Sequence, residues 1–170
     1  DKTVYDAWEQ ICIRYKRDIP NLMKYCMFAV ISDGANTKIG TIFSNYKFFY
    51  SWNKVNAEDK VSSGISSLYS MIQGVFTKER LCIILRDFIF YPDDSKKEES
   101  IICRYPQFFA ANKMFENIKK HKKPNGDGKR GIYFGATGSG KTYTMLFLSR
   151  LLMQRDVKTF ENPTIVLITD

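Results

Sequence analysis

The run Ile132-Tyr133-Phe134-Gly135-Ala136-Thr137-Gly138-Ser139-Gly140-Lys141-Thr142 constrains this chain more than any other. Gly135 and Gly140 frame four residues and Lys141-Thr142 close the pattern, which is the P-loop spacing. Apolar residues 131–134 predict a short strand before the loop, residues 142–153 a helix after it, and residues 164–170 a second strand. Glycines let such a loop turn backbone N–H groups inward onto an anion. The helix that follows adds the positive end of its dipole. The expected ligand is therefore a nucleoside triphosphate held by Gly135, Ala136, Thr137, Gly138, Ser139, Gly140, Lys141 and Thr142. Lys141 is expected to bridge the β and γ phosphates, and the Thr142 hydroxyl to hold Mg²⁺.

A phosphate grip does not name a reaction, because GTPases, kinases, transporters and motors share it. A base-reading Asn-Lys-x-Asp after the loop would favour GTP. The comparable stretch, Asn112-Lys113-Met114-Phe115, precedes the loop and lacks the Asp. Upstream, Arg104-Tyr105-Pro106-Gln107-Phe108 places a Gln near a helix start, 28 residues before Gly135. Its amide offers a donor and an acceptor, matching N6–H and N7 of adenine. The stretch resembles the glutamine motif of superfamily 2 helicases and translocases, in which such a Gln hydrogen-bonds the adenine edge, and the resemblance implies ATP as the nucleotide.

Composition narrows the rest. The 170 residues are 44% hydrophobic, enough for one sizeable core or parts of two. The four cysteines, Cys12, Cys26, Cys82 and Cys103, lie far apart without metal or redox spacing and read as separate thiols of a cytoplasmic protein. No apolar run approaches the ~20 residues of a membrane span. The net charge of +8 permits a polyanionic partner. Residue 1 is Asp, residues 4–15 already read as a packed element, and the strand pattern at 164–170 stops without a turn. A piece of a larger enzyme is the expectation.

Along the chain, Val4, Trp8, Ile11 and Tyr15 recur at helical intervals over residues 4–17, and Pro20 ends that helix or opens the next turn. Residues 26–31 and 39–43 read as strands of a hairpin around Ser32-Asp33-Gly34-Ala35-Asn36, with an aromatic segment at 46–52. Residues 68–76 and 79–90 are helical candidates. The charged run 91–100 reads as a linker. Beyond it, Pro106 suits a first helical turn, and Phe108, Ala111, Phe115 and Ile118 form the apolar stripe of that helix.

The ordered set Tyr15-Lys16-Arg17-Asp18-Ile19-Pro20, Val30-Ile31-Ser32-Asp33-Gly34, Gly40-Thr41, Trp52, Arg104-Tyr105-Pro106-Gln107 and the P-loop with Thr144-Met145 resembles the restriction (motor) subunit of type I restriction-modification enzymes. The Gln107 element resembles the glutamine motif of superfamily 2 helicases and translocases. The resemblance implies an α/β chain in which residues 1–90 are the latter part of a RecB-type (α+β) nuclease domain. Residues 91–100 are then a linker, and residues 101–170 the start of a RecA-like motor domain. It further implies ATP and Mg²⁺ as cofactors, double-stranded DNA as substrate, modification and specificity subunits as partners, and no membrane.

The family's nuclease centre, an Asp and a Glu-x-Lys on apolar strands, is expected before residue 1. Asp33 with Glu58-Asp59-Lys60, and Asp93 to Lys96, match only in letters, since they sit in turn-like or polar stretches. The acidic pair that orients water and the arginine finger are expected after residue 170. The family's Gln-x-x-x-Tyr element points to Gln10 and Tyr15, which here are five positions apart, one more than the pattern. On a regular helix that turns the side chains apart by about 140° instead of about 40°. Either the helix is locally widened or Gln10 is not the matching residue, and Tyr15 reads equally as a core aromatic.

Residues 119–130, Lys119-Lys120-His121-Lys122-Lys123 with Lys129 and Arg130, form a basic loop at the N-terminal edge of the P-loop strand. A solvated loop or a DNA phosphate contact are both open to it. Two other readings remain for the whole: a superfamily 2 translocase without a nuclease, or an ATP-binding module that moves nothing.

Overall fold

A computed structural model of the chain describes residues 2–92, 99–129 and 131–168. They combine helices with small antiparallel sheets and divide into two compact units, Asp1–Tyr105 and Pro106–Asp170.

The first unit opens on a helix of three parts: α1 (Val4–Trp8), a π-helical segment (Glu9–Tyr15) and α2 (Lys16–Asp18). Thr3 caps it, with Thr3 and Asp6 closing a reciprocal capping box. Pro20 opens the next turn, α3 (Pro20–Met23), where its missing N–H costs nothing. Val4, Trp8 and Cys12 face the core, and Trp8 Nε1 donates to Ser44 O at 3.0 Å. Tyr15, expected on this face, is 41% exposed. The i to i+5 bonding of the π segment shifts the helical register after Trp8 and turns Tyr15 outward.

The expected hairpin forms from β1 (Ala29–Ser32) and β2 (Thr37–Gly40), paired from Ala29↔Gly40 to Ser32↔Thr37. Asp33 builds its turn: the carboxylate accepts from the N–H of Ala35 and Asn36 and from Asn36 Nδ2. The aromatic segment contributes a 3₁₀ turn (Tyr46–Phe48) and a single bridge, Ile39↔Tyr50, beside β2. α4 (Ser66–Val75) and α5 (Lys78–Asp87) follow.

The second of these helices is shorter than its pattern. It stops at Asp87, and Ile89–Phe90 become β3, which pairs antiparallel with β4 (Ile101–Ile102). The run 91–100 lies between these two paired strands, and the two compact units are Asp1–Tyr105 and Pro106–Asp170. Residues 93–98, with the Asp93 to Lys96 stretch, lie outside the described residues.

The second unit is built on α6 (Tyr105–His121), α7 (Lys141–Gln154) and α8 (Val157–Phe160). Phe108, Ala111 and Phe115 are buried as their spacing predicts. α6 extends through His121, so Lys119, Lys120 and His121 belong to its last turn, where cations complement the helix dipole. Gln107 meets Gly140 at one end of α6, and at the other Lys119 Nζ meets Asp156 Oδ2 at 2.7 Å. α6 and α7 thus run side by side in the same direction. Arg155 donates to Asn112 Oδ1 and lies over the Phe115 ring.

Two expected strands do not form among the described residues. Residues 131–134 and 164–168 carry no strand pairing among the described residues. Ile132 and Phe134 are 98% and 92% exposed. A parallel strand is held only by neighbouring strands and by cover on both faces. An apolar cavity of about 580 Å³ lies beside this segment, lined among others by Ala110, Met114, Ile118, Ile132 and Leu148.

Candidate functional site

The glycine loop forms the entry to α7. Gly138 and Gly140 take positive φ values of 76° and 81°, the left-handed conformation that side chains with a Cβ resist. Ser139 N donates back to Ala136 O at 3.1 Å and closes the turn. Helix N-termini leave their first N–H groups without intrahelical acceptors, and no side chain caps α7. Those donors and the helix dipole face the loop.

Lys141 Nζ folds over this loop and donates to Gly135 O at 2.9 Å and Ala136 O at 3.1 Å. The loop residues Ala136, Thr137 and Gly138, and the Thr142 side of the helix start, are exposed. The Ser139 hydroxyl is instead buried without a hydrogen-bond partner. An orphaned hydroxyl, an uncapped helix start, left-handed glycines and a nearby ammonium form a donor set that suits an oxyanion, and one rich enough for a polyphosphate.

Gln107 is brought to this loop. Only 4% exposed, it donates from Nε2 to Gly140 O at 3.2 Å. The same carbonyl accepts from Thr144 N at 3.1 Å and Thr144 Oγ1 at 3.3 Å. A Cβ on Gly140 would lie 2.3 Å from Gln107 Nε2. Glycine is required there twice, for its backbone conformation and for the approach of this amide.

In the first unit, Gln10 and Tyr15 also meet: Gln10 Nε2 donates to Tyr15 Oη at 2.6 Å, both residues exposed. The widened helix that the spacing left open as one alternative is present. Asp33 is engaged in its turn, and Asp59 Oδ2 accepts from Asn56 N at 2.6 Å. Among the described residues no three His, Cys, Asp or Glu side chains gather as a metal-binding group. No helix among them is long and apolar enough to cross a membrane. Sequence reasoning missed the pins at Lys119–Asp156 and Arg155–Asn112, since no local pattern announces a pair so far apart. The one-residue offset between Gln10 and Tyr15 was the signal for the π turn.

Comparison with known proteins accords with these observations. Residues 106–170 match the SWI2/SNF2 ATPase family. A Methanocaldococcus jannaschii protein assigned to the MjaIXP type I restriction enzyme as its endonuclease subunit is 31% identical over 189 residues, covering 100% of this chain and 17% of the relative. The type I restriction enzyme HindI endonuclease subunit of Haemophilus influenzae is 31% identical over 160 residues, covering 92% of this chain and 15% of the relative. The chain thus spans about a sixth of the length of these curated relatives. That similarity runs along the whole chain, and the ATPase match takes in the glycine loop and Gln107, so the chain is similar to a stretch of the endonuclease subunits of type I restriction enzymes.

Proposed function

We propose that the chain is a stretch of an ATP-dependent type I restriction endonuclease subunit that pumps double-stranded DNA and cleaves it, working with modification and specificity subunits. Residues 1–90 read as the latter part of a RecB-type nuclease domain and residues 101–170 as the start of a RecA-like motor domain. The observation that carries this reading is the meeting of Gln107 with Gly140 at the glycine loop.

In this reading the loop residues Gly135 to Gly140 cradle the phosphates of ATP and Lys141 neutralises them. The Thr142 hydroxyl would hold the accompanying Mg²⁺. Gln107, held at the loop by Gly140, presents its amide to adenine. When bound, the nucleotide with its metal supplies the phosphoanhydride whose cleavage drives motion. The residues of this chain orient and neutralise. Gln10 and Tyr15 support a nuclease centre.

The decisive experiment uses the full-length protein. Lys141→Ala should abolish DNA-dependent ATPase while leaving DNA binding; retained turnover would sink the assignment. A second reading, a SWI2/SNF2-type translocase without a nuclease, is favoured by the family match over residues 106–170. DNA cleavage by the full-length protein separates the two.

A further inference from the structure

We propose that the end of α6 and the loop after it, residues 119–129, form a docking surface for the phosphate backbone of a double-stranded nucleic acid, bound without regard to sequence. Residues 106–170 hold 11 of the 26 Lys and Arg but 5 of the 18 Asp and Glu, so they carry +6 of the net +8. Lys119, Lys120, Lys122, Lys123 and Lys129 lie within residues 119–129. Cations in the last turn of a helix complement its dipole. That accounts for Lys119 and Lys120, and leaves the lysines beyond His121 unexplained.

Two of the neighbouring acids, Asp156 and Asp127, are held in ion pairs, while Glu116 is exposed. Asp156 is engaged by Lys119 at 2.7 Å. Asp127 accepts from Lys129 N at 2.9 Å and pairs with His121 Nδ1 at 2.7 Å, interactions that hold its carboxyl below the usual range, the backbone N–H contributing most. Glu116, one turn before Lys120, is the other acid on this end of α6. Lys120, Lys122, Lys123 and Lys129 make no ion pair among the described residues.

The loop is also built. Gly126 N donates to Lys122 O at 2.8 Å and Gly128 N to His121 O at 2.9 Å. A Cβ on Gly126 would lie 2.3 Å from the His121 carbonyl carbon, so the chain folds flush onto the helix end. From this platform Lys120, Lys123 and Lys129 are exposed and Lys122 is half-buried. Because Lys119 meets Asp156, just past the end of α7, this platform lies at the opposite end of α7 from the glycine loop, about 20 Å away for a helix of that length.

The chemistry selects the partner. A duplex presents one negative charge per about 1.7 Å of its axis, a density that dispersed ammonium groups can neutralise without fixed geometry. Residues 119–129 contain no Phe, Tyr or Trp on which an unpaired base would stack. They also lack the apolar anchors of protein interfaces, from which lysine is depleted, and the apolar face of a bilayer-binding helix. The inference stands on charge and geometry, independently of the nucleotide site.

The test measures binding of a short blunt-ended DNA duplex to the chain across about 50 to 200 mM salt. Each phosphate that a removed lysine no longer neutralises takes about 0.9 from the slope of log K against log salt, so K120Q/K122Q/K123Q/K129Q should flatten it by about 3 to 4. The flattening should be the same for unrelated duplex sequences, and the four-Arg variant should keep the slope. Nucleotide-analogue binding and circular dichroism report that the variants are folded; should the quadruple variant fail to fold, each single Lys→Gln should flatten the slope by about 0.9. An unchanged slope in folded variants, or no duplex binding by the parent chain, overturns the proposal. So does binding of polyglutamate or anionic vesicles as tight as that of the duplex. Failure of the parent chain to bind nucleotide would count against the ATP reading and leave this one standing.

Discussion

Gln10 Nε2 donates to Tyr15 Oη at 2.6 Å across five positions of a helix, a separation that regular α-helical geometry would turn to different faces. The π-helical segment Glu9–Tyr15 closes that gap. Such segments are rare and concentrate at functional sites, because an inserted residue costs helical hydrogen bonding. The pair lies on the exposed side of a helix whose other side, through Val4, Trp8 and Cys12, anchors the core of the first unit. One local distortion therefore sets both the outward pair and the inward packing.

Tyr15→Phe removes the acceptor oxygen and little else. Because the bond is exposed, stability should fall by under about 1 kcal/mol in urea denaturation. If the pair positions groups for DNA cleavage, the full-length Tyr15→Phe protein should cleave about 10–100-fold more slowly, with DNA-dependent ATPase retained. Normal cleavage would assign Tyr15 a structural role alone.

Gly140→Ala should be costly in two separable ways. The left-handed backbone at φ 81° resists any Cβ by about 1–2 kcal/mol, and the new methyl would collide with Gln107 Nε2. Nucleotide-analogue affinity should fall together with stability. Adding Gln107→Ala should recover the steric part and leave the backbone part, so a double-mutant cycle by denaturation should show a favourable coupling. Strict additivity would count against the contact.

Acid should weaken the second unit through Asp156. The Lys119 ammonium first, and the Thr159 hydroxyl next, lower its carboxyl to about 2. A depressed folded-state value means the contribution is complete above the unfolded carboxylate value, about 4, and is lost as pH falls from there through about 2. Asp156→Asn and Lys119→Gln should each remove part of the stability decline in that window, followed by fluorescence on acid titration. Parallel curves for parent and variants would show that the pair contributes nothing.

The four cysteines should react in order of access. Cys82 is exposed and Cys26 half-buried, while Cys12 and Cys103 are buried. Burial pushes the Cys12 thiol up to about 11 and that of Cys103 well above its ordinary value, leaving little thiolate to react. Alkylation at mildly alkaline pH, read by mass spectrometry, should modify Cys82 first, then Cys26, and the other two only in denaturant. Early labelling of Cys103 would contradict the packing around β3 and β4.

Local chemistry by itself determined the glycine loop and the helix after it, the hairpin about Asp33, and the apolar stripe of α6, because each follows from turn residues or a periodicity within one short window. It also singled out Gln107, Lys141 and Tyr15. Tertiary structure decided where those residues meet. Gln107 reaches Gly140 only because α6 and α7 run in parallel, pinned by Lys119–Asp156 at the far end. Tyr15 faces outward because the π turn shifts its helix against the core. The apolar runs at 131–134 and 164–168 mark the opposite case: β pattern is local, whereas a strand exists only through hydrogen bonds to neighbours that no short window contains.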